Sequence, residues 1–158
     1  SRLKSIEKLK DLKNLTYLDL SNNNISILTP LSKLSNLKEL YLNNNNISDF
    51  STLYSLKKLI HLSLKNNNIL SIRPSRTRWN ILISCNIETI PVGIFKNLHE
   101  LKYLNMNDNN ITDIKEIAYL KNLEELYIVN NKIMRFPPLL NTLKMLMNIK
   151  ILDIRYNL

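Results

Sequence analysis

Side chains able to do chemistry are few in this sequence and poorly grouped for it. His61 and His99 are the only imidazoles, and Cys85 is the only thiol. Nucleophilic catalysis needs a thiol or hydroxyl held against a base, and no pairing of that kind is written into the spacing. A lone cysteine makes neither an internal disulfide nor a zinc cluster, and no His, Cys, Asp or Glu spacing suits a metal. The single glycine, Gly93, removes the glycine-rich nucleotide loops, because G-x-G-x-x-G and G-x-x-x-x-G-K-[ST] each need at least two. Asp19 and Glu39 would fall on neighbouring elements, which allows a carboxylate pair, but a solvated acidic contact surface is the simpler reading. Arg73, Arg76 and Arg78 stand beside Trp79. Such a group can hold phosphate and stack a base, although a solvated insertion is the plainer account of three arginines in a proline-containing loop. Ser75 and Thr77 lie among those arginines, a setting in which phosphorylation would act on local charge. No catalytic centre, cofactor or metal is expected.

The elements that would position these side chains follow from an internal period. Taking Asn23 as an anchor, Leu12, Leu15, Leu18, Leu20, Ile25 and Leu28 stand at fixed offsets. The same offsets around Asn45 give Leu34, Leu37, Leu40, Leu42, Ile47 and Phe50, and around Asn67 they give Leu56, Leu59, Leu62, Leu64, Ile69 and Ile72. The register returns at Asn109 and Asn131, and a last copy ends at Asn157. Every slot in these copies holds an aliphatic, Met or Phe side chain. In Leu18-Asp19-Leu20 or Leu40-Tyr41-Leu42 the alternation turns leucines to a core and the middle residue outward. One such strand cannot bury its apolar side alone, so copies must stack. The Leu-x-x-Leu-x-x-Leu stretch before each strand has a three-residue period suited to 3₁₀ or short α-helical turns. The asparagine amide both donates and accepts, so it can tie the turn at each strand end into a ladder.

This pattern resembles the leucine-rich repeat family, L-x-x-L-x-L-x-x-N/C-x-L, over essentially the whole chain. The resemblance implies an α/β repeat: a right-handed solenoid with a parallel concave sheet and short 3₁₀ or α outer segments. Residues 1–158 would form one such unit of about seven repeats. The spacing of 22 between Asn23, Asn45 and Asn67, and again between Asn109 and Asn131, is similar to the intracellular class of phosphatase-regulatory and scaffold proteins, and to bacterial internalins. Ile90-Pro91-Val92-Gly93-Ile94-Phe95 resembles the 24-residue class instead, and Cys85 to Asn109 is 24. Cys85 fits the family's alternative N/C slot, which extends the expected ladder to Asn23, Asn45, Asn67, Cys85, Asn109, Asn131 and Asn157. The repeat at 73–97 is irregular: Asn67 to Cys85 is only 18, and Arg73–Asn80 lacks the leucines. Its strand has either Asn80 and Leu82 or Ile81 and Ile83 inward, and the β-branched pair is favoured.

Outward positions on the concave sheet fall six, four and two residues before each asparagine. They include Tyr17 and Asp19, Glu39 and Tyr41, His61 and Lys65, Tyr103 and Asn105, Glu125 and Tyr127, and Asp153 and Arg155. Four of the seven tyrosines sit there, and tyrosine supplies large contact area with a polar tip. The resemblance implies a non-enzymatic scaffold or regulatory subunit binding a partner protein on this face, for instance a type 1 serine/threonine phosphatase. Alternative readings are a nucleic-acid-associated repeat protein using Arg73, Arg76, Arg78 and Trp79, or a cell-surface recognition domain. The formal charge of +9 invites the first of these, yet the excess lies mainly on outer-segment lysines, where it keeps a leucine-packed solenoid soluble. No apolar run approaches the ~18 residues of a membrane span. With one cysteine and no leader pattern, a cytoplasmic or nuclear setting is expected. Four Asn-x-Ser/Thr sites at Asn14, Asn24, Asn46 and Asn110 would matter only on a secretory route. The chain starts without Met and reads as a fragment without visible caps, monomeric unless its ends pair.

Overall fold

The computed structural model describes residues 2–47, 49–67, 93–133 and 136–157. Six strands form one parallel sheet in chain order: β1 Tyr17–Asp19, β2 Glu39–Tyr41, β3 His61–Ser63, β4 Tyr103–Asn105, β5 Glu125–Tyr127 and β6 Ile151–Asp153. The register is in phase with the repeat, with Leu18, Leu40, Leu62, Leu104, Leu126 and Leu152 side by side. Each strand is only three residues long because the next polar slot is already the turn.

The three-residue leucine period becomes 3₁₀ structure. Five-residue 3₁₀ helices span Glu7–Asp11, Thr29–Lys33, Ser51–Ser55 and Lys115–Tyr119. In the second repeat Leu31, Leu34 and Leu37 each donate their N–H to the carbonyl three residues earlier, at 2.9–3.1 Å. Eclipsed side chains at that spacing point into the core together. The unit from Asn131 to Asn157 is 26 long rather than 22. Its outer segment is accordingly a nine-residue α-helix, α1, Phe136–Lys144.

The repeated apolar slots form one continuous cluster, and most are wholly buried from Leu34 through Leu64 and from Leu98 through Ile128. Each such side chain contributes on the order of 1.5–3 kcal/mol by leaving water. The slots at the two ends lack a neighbour on one side: Leu12 is 49% exposed where Leu34 is 0%, and Leu152 is 38% exposed where Leu126 is 0%. The outer lysines 8, 10, 13, 33, 57, 58, 96, 121 and 144 are all exposed.

The asparagine ladder is present and defines the turn. Asn45 Nδ2 donates to its own strand end at Leu42 O (3.1 Å) and to Leu20 O of the preceding repeat (2.9 Å), while Oδ1 accepts Ile25 N–H (3.0 Å). Asn131 repeats this on Ile128 O, Met106 O and Ile111 N–H. A second ladder lies one residue earlier, on the surface. Asn22, Asn44, Asn66, Asp108 and Asn130 all have left-handed φ of 50–61°, a region that Asn and Asp enter more readily than other non-glycine residues. Asn44 Nδ2 reaches Asn22 Oδ1 at 2.7 Å, and Asn66 Nδ2 reaches Asn44 Oδ1 at 2.9 Å.

The strand expected around Ile81 and Ile83, with Cys85 as its rung, lies outside the described residues. Among the described residues His61 pairs with Tyr103 and Leu62 with Leu104. Asn109 Nδ2 donates to Leu64 O (3.2 Å) and its Oδ1 accepts Asn67 N–H (3.2 Å). The described chain resumes at Gly93, with φ +77°, a conformation L side chains rarely adopt. Its N–H is held at 2.6 Å by Oε2 of Glu116, which is 4% exposed.

Asn67→Ala removes an amide that serves two repeats, and it is expected to lower stability by at least ~2 kcal/mol in urea unfolding, since buried groups lose their partners. A change under about 0.5 kcal/mol would contradict the ladder as a structural determinant. Tyr156 holds the same left-handed slot, at φ 56°, without an amide. Tyr156→Asn should therefore raise stability by roughly 1 kcal/mol, read as a higher urea midpoint.

Candidate functional site

The leucines of each strand point into the core, so the alternate residues build the sheet's solvent face in three rows. In the row nearest the turn, both asparagines are committed to the framework and both basic side chains are paired. Asn43 Oδ1 accepts from Ser63 Oγ (2.6 Å) and Lys65 N–H (3.0 Å), and Asn107 Oδ1 accepts Val129 N–H (2.7 Å). Lys65 pairs with Asp108 at 3.3 Å. Arg155 turns back onto Asp153, with Nε and Nη2 both bonded to its carboxylate, and this pairing holds the Asp153 carboxyl below its ordinary range.

Three of the middle-row positions are also occupied with their own turns, Asp153 among them, whose Oδ1 accepts Arg155 N–H at 3.3 Å. Asp19 Oδ1 accepts Ser21 N–H at 2.8 Å, and Asn105 Oδ1 accepts Asn107 N–H at 3.0 Å. The register sets Asp19 opposite Tyr41 and Glu39 opposite Tyr17. The carboxylates of Asp19 and Glu39 are therefore on different rows and do not form a directly opposed acid pair.

What remains is an aromatic run with carboxylates set into it. Every strand from β1 to β5 contributes one ring: Tyr17, Tyr41, His61, Tyr103 and Tyr127. Ring centroids lie 5.7 Å apart for Tyr17–Tyr41, 5.5 Å for the stacked His61–Tyr103 pair and 5.4 Å for Tyr103–Tyr127. Within β2 and β5 the same tripeptide, Glu-Leu-Tyr, folds the same way: Tyr41 OH donates to Glu39 Oε2 (3.2 Å) and Tyr127 OH to Glu125 Oε2 (2.9 Å). Desolvation first, and then the bond to Glu39, push the Tyr41 phenol above its usual value. For Tyr127 the bond to Glu125 comes first and desolvation second.

Elsewhere acids meet cations. Glu124 lies between Lys150 and Lys102, whose hydrogen bonds hold its carboxyl down at about 2. Glu7, Asp108, Asp113 and Asp153 also have Lys or Arg partners. Among the described residues Glu39 and Glu125 have none, and neither do Asp11, Asp19, Asp49, Glu100 and Glu116. No group of three potential metal ligands occurs among the described residues, and no helix among them is long and apolar enough to cross a membrane. The arginine group Arg73, Arg76, Arg78 and its neighbour Trp79 lies outside the described residues.

Sequence reasoning located these rows but missed three features. One is the surface ladder, legible in the Asn-Asn-Asn triplets at 22–24, 44–46 and 66–68. Another is the Glu116 bond to Gly93, for which a glutamate in an otherwise Pro or Thr slot (Pro30, Thr52) was the only signal. The third is the tyrosine–glutamate pairing, legible in the repeated Glu-Leu-Tyr.

Comparison with known proteins agrees with the architecture. Leucine-rich repeat family models match residues 14–34, 35–77 (two copies) and 81–133. The chain belongs to the leucine-rich repeat proteins. It is similar to keratocan of Bos taurus, at 30% identity over 110 residues, covering 53% of this chain and 30% of keratocan. Among solved structures it is similar to a leucine-rich repeat protein of Leptospira interrogans (28% identity, TM-score 0.75, 95% of this chain and 34% of that one). An internalin of Listeria monocytogenes is similar in fold (24% identity, TM-score 0.69, 99% and 46%). So is the ectodomain of the Arabidopsis thaliana receptor kinase GASSHO1/SCHENGEN3, solved with CASPARIAN STRIP INTEGRITY FACTOR 2 (21% identity, TM-score 0.70, 98% and 17%). The chain thus spans less than half the length of each of these proteins. Leucine-rich repeat proteins bind other proteins, and the fold is typically an interaction module rather than an enzyme.

The two tyrosines should titrate late in a phenolate absorbance titration, and any stability they contribute persists through neutral pH and is lost as pH rises through their raised values, above 10. Glu125→Gln should return Tyr127 most of the way to its ordinary value. Glu39→Gln should return Tyr41 less completely, because desolvation remains. Equal and complete reversion in both variants would contradict this ordering of causes.

Proposed function

We propose that this chain is a protein-recognition module that engages its partner across the solvent face of the sheet, as a scaffold or regulatory subunit. The observation that supports it is a ring on every strand from β1 to β5, four of them tyrosines, a residue type that carries interface energy when a partner removes it from water. Exposed strand positions favour tyrosine for local reasons too. Those reasons do not account for rings in contact across strands, with the Tyr41 and Tyr127 hydroxyls held by glutamates. A type 1 serine/threonine phosphatase is the partner suggested by resemblance in unit length. The lone cysteine fits a cytoplasmic or nuclear setting.

A second reading, a cell-surface recognition domain, is favoured by one feature. Of the four Asn-x-Ser/Thr sites, Asn14 is exposed and its amide makes no hydrogen bond among the described residues, whereas Asn24 and Asn46 bond each other at 2.6 Å. Secretory expression would load a glycan on Asn14 in preference to Asn24 and Asn46.

The primary reading is tested with the Tyr41→Ala/Tyr127→Ala double variant in partner capture from the native source. A folded double variant should recover its partner at least tenfold less well. Unchanged recovery, with an unchanged urea midpoint, would remove the sheet face from consideration.

A further inference from the structure

We infer that the element recognised on this face is an extended peptide segment bearing two cationic side chains, one seated at Glu39–Tyr41 and the other at Glu125–Tyr127. The inference rests on the sheet-face reading above and gives it a partner chemistry and a register. The two seats are the same structure made twice. Each places a phenol ring beside a carboxylate on one strand, with the hydroxyl spending its proton on Oε2. That bond fixes the carboxylate edge against the ring and leaves Oε1 without a described partner. A guanidinium or ammonium fits both halves of the seat, because the ring face attracts a cation and the carboxylate accepts its N–H groups. Arginine fits better than lysine, since a planar fork can stack and chelate together.

Charge arrangement supports the same ligand. In a chain of +9, five of the twelve described acids have salt-bridge partners on the protein. Glu39 and Glu125 are among the seven that have none, and they are the two glutamates set among the rings. Long-range repulsion from the outer lysines is screened within about 8 Å at physiological salt, so the local carboxylates decide the sign felt at the sheet. An anionic partner, nucleic acid included, would meet those two carboxylates first.

The sheet also sets the spacing. From β2 to β5 is three strand steps of about 4.8 Å, roughly 14 Å in all. An extended chain rises about 3.4 Å per residue, so cations four residues apart span it, and an even offset keeps both on one side of the peptide. Between the seats lies the stacked His61–Tyr103 pair, an aromatic surface for the side chain midway between them.

The test uses fluorescein-labelled peptides containing Arg-Thr-Val-Thr-Arg, with controls in which the arginines are three residues apart or replaced by glutamate. Anisotropy should give at least tenfold tighter binding for the four-residue spacing than for either control. That binding should weaken tenfold or more in Glu39→Gln/Glu125→Gln and fall with added salt. Indifference to spacing, to the glutamines, or to arginine against glutamate overturns the inference. So does tighter binding of a single-stranded oligonucleotide, or self-association that the glutamines abolish. Native partner capture separates the two levels. Loss with Tyr41→Ala/Tyr127→Ala but full retention with the glutamines keeps the sheet face and rejects the cationic ligand. Retention with both sets of variants rejects both.

Discussion

A three-residue strand that ends at once in a turn leaves buried carbonyls without strand partners, and here one asparagine amide per repeat meets that demand for two repeats together. Asn45 bonds Leu42 O on its own strand and Leu20 O on the one before, while its oxygen takes Ile25 N–H. The amide is therefore at once a turn former and a spacer between repeats. With the spacing fixed, the leucine slots superimpose, and the short strands fall into an in-phase sheet. The surface ladder through Asn22, Asn44 and Asn66 adds to this, and its left-handed residues explain why the slot beside each rung is also Asn or Asp.

Most of this was legible in the sequence because the determinants are local and repeated. An amide in a fixed slot, aliphatics at fixed offsets and a three-residue leucine period each dictate one feature, and six copies average out the accidents. The positions Tyr17, Glu39, Tyr41, His61, Tyr103, Glu125 and Tyr127 followed from strand alternation alone. What could not be read was which outward side chains are already occupied. Asp19, Asn105, Lys65, Asp153 and Arg155 looked equivalent to Glu39 or Tyr127, and only the turn geometry shows their polar atoms engaged with neighbouring groups.

The rung expected at Cys85 lies outside the described residues. Asn67 and Asn109 meet as neighbours although they lie 42 residues apart. The point of return is fixed by Gly93, in a backbone conformation suited to glycine, and by the buried Glu116 carboxylate on its N–H.

These assignments separate the framework from the surface left for recognition. In the turn-side row Asn43 and Asn107 cannot vary without disturbing the stack, because they bond the adjacent repeat directly. In the other two rows Tyr17, Glu39, Tyr41, His61, Glu125 and Tyr127 make no described side-chain bond to a ladder or a turn, so partner chemistry can change at those positions at little structural cost. In this chain those rows hold rings on five consecutive strands and two glutamates whose only described side-chain bonds come from tyrosine hydroxyls. Paired charges are locally neutral and contribute little to attracting a ligand. Unpaired ones at a half-buried ring face do, because their desolvation is partly incurred before any partner arrives. The net positive charge of the chain and the sign of its sheet face are consequently independent quantities, and the second is the one a partner docking against β2 to β5 would meet.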